Sequence, residues 1–81
     1  GFSVYPNPVT NQEFTIQTTH LAGQDVDLKL FNISGQVVMS QRLKVNSNGA
    51  LNVETNQLSS GVYILELTHG KQSYKEKLIL K

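Results

Sequence analysis

The sequence predicts an all-β domain, a seven-stranded antiparallel β-sandwich. Three observations carry this. Short runs of β-forming residues alternate apolar and polar side chains. Turn signals separate the runs at a spacing of roughly 8–12 residues, the rhythm of a sandwich. No stretch carries a 3.6-residue apolar period long enough for a helix. One alternating sheet buries only one face, so a second sheet must cover it.

Taken in order, residues 2–5 are the first run, closed by Pro6-Asn7-Pro8. Residues 13–18 put Phe14 and Ile16 on one face against Glu13, Thr15 and Gln17. Residues 25–31 put Val26, Leu28 and Leu30 inward against Asp27 and Lys29. Asn32-Ile33-Ser34-Gly35 reads as a hairpin turn, because Asn and Gly both tolerate positive φ. Residues 36–45 form the next strand, with Val37, Met39 and Leu43 on one parity. Asn46-Ser47-Asn48-Gly49 is a second polar turn, followed by a short strand at 50–55 carrying Leu51 and Val53. The connection at 56–61 has room for one helical turn within 56–60, and no more. Residues 62–68 are the most apolar strand, with apolar side chains on both parities, which predicts a central position covered on both faces. His69-Gly70 matches a two-residue hairpin loop, and 71–81 is the last strand. Tyr5, Tyr63 and Tyr74 each suit a buried ring with a hydroxyl at the rim.

At 81 residues the chain is one domain. A domain of this size buries about 60–65% of the surface its unfolded chain exposes, so its core is thin. There are no cysteines, so the fold cannot depend on oxidation, and no thiolate is present as nucleophile or ligand. The net charge of +1 lacks the basic excess of a nucleic-acid binder. The longest apolar runs, Val62-Tyr63-Ile64-Leu65 and Leu78-Ile79-Leu80, are far short of the roughly 20 residues a membrane helix needs. Gly-Phe-Ser-Val-Tyr at the start has neither basic nor apolar signal-peptide regions, so any secretory signal is expected upstream.

No catalytic constellation is legible, so the expectation is a non-enzyme without cofactor or metal. Gly-x-Ser-x-Gly and phosphate-cradling glycine loops are missing. His20 and His69 fall in or beside turns and read as solvated. Asp25 and Asp27 share a strand face, but Lys29 on that face repels a cation. Asn32-Ile33-Ser34 fits the glycosylation pattern, yet the turn alone explains the Asn. Charge is uneven at the end: Lys71, Lys75, Lys77 and Lys81 stand against Glu76 alone. Lys75, Lys77 and Lys81 share parity with Ile79. Such lysines either protect an edge strand from pairing or form a surface that a partner reads.

Four motifs now stand in order: Tyr5-Pro6-Asn7-Pro8, Gly35-Gln36-Val37-Val38, Leu58-Ser59-Ser60-Gly61-Val62-Tyr63-Ile64-Leu65, and Lys75-Glu76-Lys77-Leu78-Ile79-Leu80-Lys81. Their order and spacing resemble the C-terminal sorting domain, type A, of the type IX (Por) secretion system of Bacteroidetes. The resemblance spans nearly the whole chain; 41–58 matches only in general pattern. It implies an immunoglobulin-like sandwich, residues 1–81 as one sorting domain, and residues 1–3 as the end of a linker from an upstream cargo domain. It also implies partners: an outer-membrane translocon, its shuttle protein and a sortase. The route it implies runs through the periplasm to secretion or surface attachment. Gly61, Tyr63, Lys75, Lys77 and Lys81 are the residues expected at the translocon, with Pro6, Asn7, Pro8 and Gly35 as structural motif positions. Deleting residues 78–81 is expected to block export.

The competing reading is a carbohydrate- or protein-binding accessory module of a secreted enzyme. It needs a concave, aromatic-lined face, and the chain has three Tyr, three Phe and no Trp. A spacer domain is the third reading. Neither nucleic acid nor direct membrane insertion is expected. Weak pairing of two copies through an exposed edge strand is.

Overall fold

Among the described residues, seven strands form where the alternation placed them. They are β1 (Ser3–Tyr5), β2 (Glu13–Gln17), β3 (Asp25–Phe31), β4 (Val37–Lys44), β5 (Ala50–Glu54), β6 (Gly61–His69) and β7 (Gln72–Leu80). The structure, a computed structural model, describes residues 2–81. Gly1, assigned above to the linker end, lies outside the described residues.

The strands make two sheets, ordered β1-β2-β5 and β4-β3-β6-β7, with every neighbouring pair antiparallel. Phe14 and Ile16 of β2 lie opposite Val53 and Leu51 of β5 and line the inner face of the smaller sheet. Val26, Leu28 and Leu30 of β3 and Tyr63, Leu65 and Leu67 of β6 line the inner face of the larger one. Leu78 and Leu80 complete it from β7. Each such side chain contributes about 1.5–3 kcal/mol by leaving water. Alternation therefore becomes a two-layer core.

In a constant-type immunoglobulin sandwich the fourth strand joins the first, second and fifth. Here β4 pairs with β3 instead, giving a three-plus-four division. The immunoglobulin-like description fits in outline. Tyr63, near the start of β6, adds a contact of the tyrosine-corner kind: its hydroxyl donates to the Ser59 carbonyl at 2.7 Å.

One five-residue turn is built twice. Asn32 and Asn46 each accept two backbone N–H bonds through Oδ1, from Ser34 and Gln36 and from Asn48 and Ala50, at 2.9–3.0 Å. Gly35 and Gly49 close the turns at φ +84° and +81°. A glycine there avoids the left-handed penalty of an L side chain. The Asn32 amide is thus committed to its turn, with Nδ2 donating to Gln36 as well.

Several expectations are corrected. The most apolar strand is interior to its sheet, but it is covered on one face only: Val62 and Ile64 are 39% and 38% exposed. Val37 does not join Met39 and Leu43 on the inner parity. A β-bulge between Leu30 and Phe31 pairs Leu30 with Met39 and Phe31 with Val37, so Val38 is the extra residue and Val37 moves to the outer face. The hairpin loop is Gly70-Lys71 rather than His69-Gly70, because His69 still pairs with Gln72. Gly70 at φ +60° takes the first loop position, where a type II′ turn favours glycine. The short helical turn is at Thr19–Leu21 rather than in 56–61, where the chain makes a Thr55-to-Leu58 turn. Tyr5 is exposed rather than buried. His69 lies within β6, and His20 is engaged rather than merely solvated: its Nε2 meets the Tyr74 hydroxyl at 2.8 Å.

Candidate recognition surface

The face to consider is the outer side of the four-stranded sheet, opposite the core. On β7 the even positions Leu78 and Leu80 point into the core, so Lys75, Lys77 and Ile79 point outward. Lys75 and Lys77 are exposed, and so is Lys81 just past the strand. Among the described residues the ion pairs are Arg42–Asp27 at 3.0 Å and Lys75–Glu66 at 4.0 Å. Lys77 and Lys81 take part in neither pair. Asp27 spends its carboxylate on Arg42 rather than on a site shared with Asp25.

The register shows what lies between the lysines. Ser40, Lys29, Glu66 and Lys75 form one row across β4, β3, β6 and β7. Val37, Phe31, Ile64 and Lys77 form the next, and Val62 faces Ile79 in the one after. A shallow depression here is lined by Phe31, Ile33, Gly35, Ile64, Glu66 and Lys75. Ile33, at the tip of the β3–β4 hairpin, is 84% exposed. Sequence reasoning missed this apolar set. Its signal was the apolar residues at both parities of 62–67, which equally describes one buried and one exposed apolar face.

The other expected site residues fall elsewhere. Tyr63 is 6% exposed and faces the core opposite Leu78, so it is not on the lysine face. Its ring packs into the core at the start of β6. Gly61 opens β6 opposite Leu80. Its φ of +154° disfavours a side chain, whereas a Cβ would meet only Tyr63 Cε1 at an ordinary 3.9 Å. Conformation, not close approach, explains this glycine. Gly35 needs its positive φ, and open space surrounds it.

The Pro6-Asn7-Pro8 segment reaches the site from the other end of the chain. Pairing of β1 stops at Tyr5, next to two residues that cannot donate. The chain then crosses to the edge of β7. Asn7 Nδ2 donates to the Lys77 carbonyl at 2.7 Å, and its Oδ1 accepts from the Ile79 N–H at 3.1 Å. Val9 follows as a parallel bridge to Leu80. It donates to the Ile79 carbonyl at 2.7 Å and accepts from the Lys81 N–H at 3.0 Å. The final strand is thus covered along part of its edge.

What the fold and surface define is a β-sandwich module with a presented final ribbon and, among its described residues, no His, Asp and Glu cluster that could hold a metal ion. Residues 3–81 match the family model described as a secretion system C-terminal sorting domain. The chain belongs to that family. It is a sorting signal for type IX secretion, fused to a cargo protein, interacting with the secretion machinery and directing export across the outer membrane to the cell surface or beyond. None of the curated proteins compared matches the chain.

Proposed function

We propose that the outer face of the β6–β7 hairpin is the part of this sorting signal that the machinery grips, with Lys75, Lys77 and Lys81 as its contact charges. One observation carries the reading: β7 fills the core with Leu78 and Leu80 while holding Lys75, Lys77 and Ile79 outward, with Lys75 beside Glu66 and Lys77 outside any ion pair among the described residues. An outer-membrane translocon or its shuttle protein takes the ribbon from the periplasm. A sortase then cuts in the linker at or upstream of residues 1–3. Residues 1–81 act as one module without catalytic, metal-binding or nucleic-acid-binding work of their own.

An accessory carbohydrate-binding role wants several exposed rings in a row. Of the six aromatic residues, Phe14 and Tyr63 are buried, Phe2, Phe31 and Tyr74 are half-buried, and Tyr5 stands alone.

The test fuses residues 1–81 to a periplasmic reporter in a type IX-competent cell. Removing residues 78–81 is a poor probe, because it also removes the core residues Leu78 and Leu80. The triple variant Lys75→Glu, Lys77→Glu, Lys81→Glu leaves the core untouched. It is expected to stay folded and hold the reporter in the periplasm. Normal surface delivery of that variant would defeat the reading.

A further inference from the structure

We infer that the recognition surface extends beyond the terminal hairpin to the β3–β4 hairpin, and that its occupant is a protein segment with an apolar centre bordered by Asp and Glu. This rests on the reading that the machinery grips the lysine face.

The apolar part is built from four strands. Val37, Phe31 and Ile64 run side by side across β4, β3 and β6, a row about 10 Å long at the usual strand spacing. Val62 and Ile79 extend it along β6 and β7, and Ile33 projects beside it from the hairpin tip. Contiguous exposed apolar surface rimmed by polar groups marks a contact site, whereas single exposed residues do not. The bulge between Leu30 and Phe31 is what turns Val37 onto this face. Without it, Val38 would stand opposite Phe31 in its place.

The border selects the occupant. Lys29, Lys75 and Lys77 flank the apolar rows, and Glu66 is their one acidic neighbour in those rows, already beside Lys75. A second copy laid on this face would bring two such basic borders together, which like-charge repulsion opposes. A partner with carboxylates around an apolar ridge satisfies both parts at once.

The test compares Ile33→Asp and Ile33→Lys in the reporter fusion, with thermal melting of the 81-residue chain as the fold control. Both remove the same apolar contact. An acidic partner tolerates the lysine and repels the aspartate. Surface delivery should fall about tenfold for Ile33→Asp and only about threefold for Ile33→Lys. Should Ile33→Asp alter the melt, Val37→Asp against Val37→Lys repeats the comparison. Delivery of the aspartate variant at wild-type level, or equal loss for both, overturns the inference. If the triple lysine variant fails while Ile33→Asp is delivered normally, the lysine reading stands and this one falls. If Ile33→Asp fails while the lysine variant is delivered, the acidic border falls with the lysine reading. Sedimentation of the chain as a dimer, or with phosphatidylglycerol vesicles, that Ile33→Asp abolishes would put another occupant on the face and also overturn it.

Discussion

Asn7 takes the place of a neighbouring strand against Ile79. Its side-chain amide accepts from the Ile79 N–H at 3.1 Å and donates to the Lys77 carbonyl at 2.7 Å, two groups that would otherwise face solvent at the sheet edge. A single side chain thus supplies a donor and an acceptor in the pattern a backbone would. A prediction comes directly from it. Asn7→Ala should lower stability by about 1–2 kcal/mol, read from urea unfolding, and speed hydrogen exchange at the Ile79 amide. Unchanged exchange there would mean that the contact is not formed in solution.

The two turn glycines should behave differently although their φ angles nearly coincide. A Cβ at Gly35 meets nothing within 4 Å, so Gly35→Ala costs only the left-handed backbone, about 1–2 kcal/mol. A Cβ at Gly49 would lie 2.6 Å from Thr19 Cα, a backbone atom that cannot swing away. Gly49→Ala should therefore cost more than about 3 kcal/mol and leave little folded protein at 37 °C. Comparing the two urea midpoints checks this.

Tyr63→Phe keeps the buried ring and removes the bond to the Ser59 carbonyl. The expected loss is about 1–1.5 kcal/mol, with reporter export unchanged at permissive temperature. Lost export from a variant that melts normally would place Tyr63 in recognition after all.

Leu78 and Lys77 are neighbours with opposite duties. Leu78→Ala opens a cavity in a fully buried position and should cost about 2–5 kcal/mol. Lys77→Glu sits on the outer face and should move stability by less than about 0.5 kcal/mol while reducing export. Thermal melts beside surface-delivery assays separate the two.

The strands were legible because their inner residues obey a strict two-residue period: Phe14 and Ile16, then Val26, Leu28 and Leu30, all proved buried. The Asn-Gly turns were legible because their chemistry is local. Parity tells which residues share a face, but not whether that face is covered, so Val62 and Ile64 were read as core. A bulge inserts one residue without any local marker, and Val37 changed sides. The lysines on β7 were readable from spacing alone. The Asn7 contact was not, since 70 residues separate it from Lys77 and only the assembled sandwich brings them together.

Residues 2–9 touch the last strand at both of its ends: Phe2 stacks on Tyr74 with ring centroids 5.5 Å apart, and Asn7 and Val9 bind residues 77–81. Because Val9 runs parallel to Leu80, a pull on the start of the chain against a grip on its end slides these segments lengthwise past each other. The bonds between them then share the load together, as in a shear joint, instead of opening one after another like a zipper. The module is built to stay shut under tension between its two ends.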